Sequence, residues 1–279
     1  MIRIITDSTA DFTLEETKSY NIEVVPLKTM IDDVEYLDRY QLQPEPFYEM
    51  LSQTNTFPKT SQPSPNDFFE YFKEGIKAHD QIIVFCVSSK LSGTYQSANI
   101  AKMTSEYEDI YIVDSEIATL GMKMLVLKAI ECRNQGMSFE DIIHTIEDYK
   151  KRIRLFAIVD TLEYFVMGGR LSKTSGMVGS MLKLKPILTV VDGQLEAIDK
   201  KRGTSKAITR VIELIHEQGD IDLNEPIYFG YTGNNTSMDK FIKAFHDEFQ
   251  INNYEMGIVG PVVGSHAGPG AQFITYLIP

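Results

Sequence analysis

Two cysteines in 279 residues are too few for a disulfide framework. Cys86 in IIVFCVS reads as a core residue on a strand and Cys132 in AIECRNQG as a helix residue, with no metal-ligand spacing between them. Positive charge is also short: 27 Lys and Arg face 39 Asp and Glu, a net charge of −12. That balance repels phosphate backbones and anionic bilayers, so neither a nucleic-acid partner nor stable membrane insertion is expected. Long apolar runs are missing, since no segment approaches about 18 consecutive apolar residues. The opening MIRIITDSTADF has too short an apolar stretch for a signal peptide and no cleavage site. A soluble, cytoplasmic protein is the expectation.

Familiar catalytic templates are absent as well. None of the five histidines (His79, His144, His216, His246, His266) has a partner at HExxH or CxxC spacing, so no metal and no cofactor is expected. There is no GxSxG, GxGxxG or GxxxxGK[ST], and GGRLSKTSG (168–176) has the flavour of a phosphate loop without its spacing. His144, His216 and His246 sit in amphipathic helical stretches, where a solvated face is the default reading. His266 differs, lying in GPVVGSHAGPGAQ (260–272), with glycines and prolines on both sides.

What is present is an α/β rhythm. The chain is 43% hydrophobic, enough for two domains with cores of their own, and we place them at 1–153 and 154–279. Short apolar runs at 2–5, 22–25, 81–87 and 109–113 predict strands of a mostly parallel sheet, alternating with helices over 13–20, 66–78 and 94–103. Asp32-Asp33 predicts a hairpin at that sheet's edge. Two long helices follow, 117–135 ended by Gly136 and 138–152 capped by Ser138. The cluster KKRIR (150–154) reads as a solvated helix end at the domain boundary. The second half predicts a strand at 155–159, a hairpin turning at Asp192-Gly193, helices over 204–216 and 237–249, and strands in PIYFGY, YEMGIV and AQFITYLI, a mixed sheet.

Four hydroxyl-rich loops stand beside predicted strands: TDSTAD (6–11), KTSQPSP (59–65), SSKLSGTYQSA (88–98) and VDSEIATLG (113–121). Three of them leave the carboxyl ends of strands in an open parallel sheet, the usual ligand crevice, and free backbone N–H groups at helix starts receive anions. Any single loop of this kind is more often an ordinary helix cap. Together they point to a site. Ser92 is placed both to cap the next helix and to present its hydroxyl, and Gly93 to let a ligand approach the backbone. KTSQPSP reads as a rigid turn in which Pro63 and Pro65 hold Thr60 and Ser61 in place and start a helix. For 260–272 two readings stand: a tight turn between the last two strands with an incidental histidine, or a loop built to aim His266 across the domain interface. Spacing also leaves open a small hydrolase or acyltransferase using Ser92 and His266.

The ordered blocks TDSTAD, KTSQPSP, SSKLSGTYQSA, VDSEIATLG, VDTLEYFVMGGRLSK (159–173), LKPIL (184–188) and GPVVGSHAGPGA resemble the DegV family of bacterial fatty-acid-binding proteins, from Thr6 to Ala271. The resemblance implies two α/β domains with a long-chain fatty acid between them. It implies a partner, a fatty acid kinase, which phosphorylates the carboxylate of the held lipid to make acyl-phosphate for phospholipid synthesis. On that likeness the protein is a lipid-presenting subunit without turnover of its own. Its carboxylate-binding residues would be Thr60, Ser61, Ser92, Gly93 and His266, with Arg170 and Arg202 as basic residues beside the pocket mouth that face the kinase or its phosphate. Val166 and Met167 depart from the family pattern, standing where a more polar pair is common.

Overall fold

The computed structural model describes residues 1–172 and 184–279. In chain order the first part contains β1 (Ile2–Asp7), a 3-10 turn (Ser8–Ala10), α1 (Leu14–Ser19), β2 (Glu23–Val25), β3 (Lys28–Ile31), β4 (Val34–Leu37) and α2 (Pro44–Gln53). It continues with β5 (Lys59–Ser61), α3 (Pro65–Ala78), β6 (Gln81–Cys86), α4 (Thr94–Ser105), β7 (Ile110–Asp114), α5 (Thr119–Asn134) and α6 (Phe139–Arg152). The second part contains β8 (Ile153–Ile158), α7 (Glu163–Met167), β9 (Leu184–Val191), β10 (Gln194–Arg202) and α8 (Thr204–Glu217). It ends with β11 (Tyr228–Tyr231), α9 (Met238–Phe249), β12 (Glu255–Ile258), α10 (Pro261–Ala267) and β13 (Gln272–Leu277).

The buried apolar runs pair as a four-stranded parallel sheet in the order β2-β1-β6-β7. Phe68, Phe72, Ala98 and Ala101 of α3 and α4 cover one face. The second sheet has the order β10-β9-β8-β13-β11-β12 and is mixed, with β11 and β12 parallel and the other neighbours antiparallel. Alternation along β8 divides its two faces. Phe156 and Ile158 join the aromatic core under α8 and α9, while Leu155, Ala157 and Val159 point towards the parallel sheet. Between the sheets runs α5, in which eleven of sixteen residues are buried, on every side of the helix. Its core cluster draws on β1, β6, β8 and β13 together.

Local chemistry ends most elements as the sequence suggests. Thr13 and Ser64 form capping boxes, Pro65 starts α3 and Ser138 caps α6. Asp32-Asp33 and Asp192-Gly193 both take left-handed dihedrals at their turns. Four expectations need correction. The Asp32-Asp33 hairpin is not at the edge of the parallel sheet; it belongs to a separate three-stranded antiparallel sheet, β4-β3-β5, because residues 59–61 form a strand against β3 and not a rigid turn. Residues 261–267 are helical, neither turn nor loop, with Pro261 in the first turn of α10. The cluster at 150–154 is a solvated helix end only at Lys151, since Lys150 pairs with Glu147 (2.8 Å) and Glu116 (3.3 Å), and Arg152 with Asp222 (2.7 Å) and Glu225 (3.3 Å). Helices α2 and α7 had no signal among the patterns considered above. Part of GGRLSKTSG, from Lys173 onward, lies outside the described residues.

Leu125, fully buried in the core that α5 shares with both sheets, sets a test of this packing. Leu125→Ala is expected to lose about 2–5 kcal/mol, read as a lower midpoint in chemical denaturation. Met103→Ala, on the exposed face of α4, should stay within about 0.5 kcal/mol of wild type.

Candidate functional site

A cavity of about 370 Å³ opens between the two sheets, just in front of the first turn of α5. All four hydroxyl-rich loops reach it: Thr9, then Thr60 and Ser61, then Ser92, then Thr119. The strand ends bring them together. Asp7 closes β1 and accepts bonds from Thr9 N (2.9 Å) and from Val87 N (2.7 Å) beyond β6, which ties the first and third loops. Burial pushes the Asp7 carboxyl up to about 6 in spite of these donors. The facing wall is the inner side of the mixed sheet, including Leu155, Ala157, Leu188, Val190 and Phe273.

The wall is apolar apart from one region. There Thr60 Oγ1 and His266 Nε2 are 2.8 Å apart, although 206 residues separate them in sequence. Arg170 lies beside them, its Nε donating to Leu91 O (3.2 Å) and its Nη1 to Gly168 O (2.6 Å). It is the one charged side chain among the described lining residues. Burial, helped by the Arg170 cation, pulls the His266 imidazole down to about 4. Its Nδ1 is buried without a hydrogen-bond partner among the described residues, so a second ring N–H would find no acceptor there. The imidazole is therefore neutral at pH 7. Ser61 and Gln62 are exposed and Thr60, Ser92, Arg170 and His266 half-buried, so the polar end faces solvent and the apolar part points inward.

Among the residues singled out from sequence, Thr60, Ser61, Ser92, Arg170 and His266 all line this cavity. Gly93 and Arg202 are not among its lining residues. Gly93 is the N-cap of α4, and a Cβ there would overlap the side chain of Gln62, which also donates to Ser97 Oγ (3.0 Å). Gln62 is thus one neighbour whose place depends on the missing side chain at Gly93. Ser92 is not the N-cap residue, but its hydroxyl accepts from Thr94 N at the helix start (3.4 Å) and lies 2.9 Å from Thr94 Oγ1. Arg202 is exposed at the end of β10, opposite Leu184.

No hydrogen bond joins Ser92 to His266, whose Nε2 is held by Thr60, and no carboxylate orients Nδ1. The nucleophile-and-base geometry of a hydrolase is not assembled here. Among the described residues there is also no cluster of His, Cys, Asp and Glu fit to hold a metal ion, and no helix is long and apolar enough to cross a membrane. Two participants escaped the sequence reading. Gly168 lies so close to His266 that a Cβ would overlap Nδ1; its place in the Gly168-Gly169 pair was the available signal. Phe165 of α7 closes the apolar wall and had none.

The chain can be compared with known proteins on this footing. The model of the family described as "Uncharacterised protein, DegV family" matches residues 1–278. The DegV domain-containing protein TTE1491 of Caldanaerobacter subterraneus is 38% identical over 275 residues, covering 99% of this chain and 98% of that protein. Among solved structures, a DegV family protein from Thermus thermophilus, described as binding fatty acid, superposes with a TM-score of 0.89 at 29% identity, covering 99% of both chains. DegV of Bacillus subtilis, described as a fatty acid binding protein, gives 0.86 at 31% identity, covering 100% of this chain and 99% of that one. The likeness runs the length of the chain, with a family match that leaves out only Pro279: the chain belongs to the DegV family.

Proposed function

We propose that the protein holds a long-chain fatty acid in this cavity and presents its carboxylate to a fatty acid kinase. The observation that carries the reading is the division of the wall: a deep apolar lining, a polar end open to solvent, and a single cation, Arg170, with no carboxylate among the described lining residues. An anion with an apolar tail matches that wall, and the relatives described as fatty-acid-binding agree with it. Each buried methylene contributes about 0.8 kcal/mol, so roughly 14 of them supply on the order of 11 kcal/mol before ordering costs. The tail supplies most of the affinity and the head group its orientation.

In this reading neutral His266 donates Nε2–H to Thr60 Oγ1, which turns the Thr60 hydroxyl hydrogen towards the carboxylate. Ser61 and Ser92 offer further donors, and Arg170 neutralises the charge. The protein holds and orients without turnover of its own; ATP and its metal belong to the kinase. Phosphoryl transfer depends on in-line placement and charge neutralisation, which a fixed carboxylate provides. Arg202, exposed and outside the cavity, serves the partner surface. We further place the border between the two domains at residues 153 and 154.

Organic extraction of protein purified from bacteria, followed by mass spectrometry, is expected to yield a long-chain fatty acid. A nucleotide or sugar phosphate in its place, or robust ester hydrolysis by an empty protein, contradicts the reading. Replacing Ser92 or His266 by Ala costs about 1–3 kcal/mol, a minority of the tail's contribution. Both variants should therefore keep lipid while acyl-phosphate formation per lipid-loaded protein falls. A rate per loaded protein equal to wild type removes these residues from the head-group site. Arg202→Ala should leave lipid content unchanged and reduce phosphorylation.

Protonation offers an independent check. The folded protein holds His266 near 4, whereas an unfolded histidine titrates near 6.5. Between these values the unfolded chain binds more protons, so the stability His266 contributes is lost as pH falls through the window. In NMR titrations from pH 8 to 5 the His266 ring signals should stay still. Those of His216, raised by its bonds to Glu248 and Asp220, should move above pH 6.5.

A further inference from the structure

Helix α10 carries His266, yet its own start is weakly secured. It has seven residues, and its N-cap, Gly260, provides no side-chain bond. The three residues that lead into it are held from elsewhere. Arg39 Nη2 donates to Ile258 O (2.8 Å), Tyr48 OH donates to Val259 O (3.1 Å), and Gly260 N donates to Asp11 Oδ1 (2.9 Å). Arg39 and Asp11 are themselves joined at 2.7 Å, with side chains 6% and 1% exposed.

Two features show that this pair is constrained in place. Both residues take left-handed backbone dihedrals, φ 60° at Arg39 and φ 59° at Asp11. For a long side chain such as arginine this conformation costs about 1–2 kcal/mol, so its contacts must over-determine it. A Cβ at Gly260 would stand 2.9 Å from both Arg39 Nε and Asp11 Oδ1, so the clamp closes directly on the backbone. Asp38, also buried, has its carboxyl pushed up to about 7 by burial, against the pull of Arg39. Burying such a pair costs several kcal/mol per ion, and an apolar pair of similar volume commonly stabilises a fold as well or better. Stability alone is a poor reason for the arrangement. Geometry is a better one.

We propose that Asp11 and Arg39 are positioning residues for the head-group site: their ion pair fixes the backbone at 258–260 and, through α10, the place from which His266 reaches Thr60. The lever is short. His266 lies six residues beyond Gly260, about 9 Å along the helix, so a tilt of roughly 6° displaces the imidazole by about 1 Å. A bond of 2.8 Å does not survive that displacement. The purpose assigned to the clamp rests on the carboxylate reading of the cavity.

The test replaces both partners together, Asp11→Asn with Arg39→Met, and is read at pH 6, where Asp38, pushed up by burial and released from the pull of Arg39, carries its proton and no uncompensated buried charge remains of the three. Two signals are read: the 15N shifts of the His266 ring in lipid-free protein, and the carboxyl resonance of bound [1-13C]oleate. The double variant should melt close to wild type and still bind oleate, while the His266 shifts move towards tautomer averaging and the oleate carboxyl loses its distinct bound position. Arg39→Lys keeps the buried cation but loses the planar fork; it should shift the same signals by smaller amounts, and it answers the question if the double variant fails to fold. His266 shifts identical to wild type in a folded variant overturn the proposal. His266 shifts that move while wild type shows no bound oleate signal overturn the lipid reading and leave the clamp standing.

Discussion

Packing on every side of the first half of α5, where residues 119–126 are all buried, governs the rest of this structure. A helix with its side chains is about 10–12 Å across, and α5 wedges that thickness between the parallel sheet and the mixed sheet. Its core cluster joins strands of both. Where α5 begins, at Thr119, the spacing it imposes continues but the helix no longer fills it. The cavity lies there, walled by Ile117, Ala118 and Thr119 and by the inward-facing residues of β8 and β9. The cavity is the part of the interlayer gap that the spacer helix leaves empty. This also accounts for its character, since residues that face a buried interlayer are apolar whether or not a neighbour touches them.

Polar groups enter this gap sparingly and under tight control. One guanidinium stands in the wall, half-buried and bonded to two backbone carbonyls, and the neighbouring imidazole is kept neutral by burial. A charged imidazole beside Arg170 would double the local positive charge and leave an N–H without an acceptor. Neutral His266 avoids both costs and still bonds to Thr60. No carboxylate stands among the described lining residues: Asp7 and Asp11 are spent on backbone N–H groups and on Arg39. The division favours an anionic visitor.

Support for the site comes from all parts of the chain. The small antiparallel sheet delivers Thr60 through the pairing of β5 with β3, and Phe47 and Tyr48 of α2 pack against Gly264 of α10. Gly168 gives His266 room from the opposite side. Each of these elements touches the polar end or the helix that carries His266, so the geometry of that end is a property of the assembled layers.

Much of the fold was legible in sequence because its signals are local. Unbroken apolar runs marked β1, β6 and β7, Pro65 and Ser138 marked helix starts, and Asp192-Gly193 marked a hairpin; each depends on a handful of neighbouring residues and on backbone sterics alone. Three of the four hydroxyl-rich loops were legible for the same reason, as segments leaving strands of the parallel sheet, whereas residues 59–61 of the fourth pair antiparallel with β3. The segment 260–272 was not legible. Its glycines and prolines read as a tight turn or as a loop aiming His266, yet Pro261 opens a helix, and Gly264 lies where an added Cβ would overlap Tyr48. At Gly93 the contact with the Gln62 side chain, which an added Cβ would overlap, was not legible either. The sequence by itself determined the elements and the residue types available to a site. Only the tertiary structure decided which of them meet, because a contact such as Thr60 with His266, 206 residues apart, is set by how layers stack around α5, and no local pattern encodes that distance.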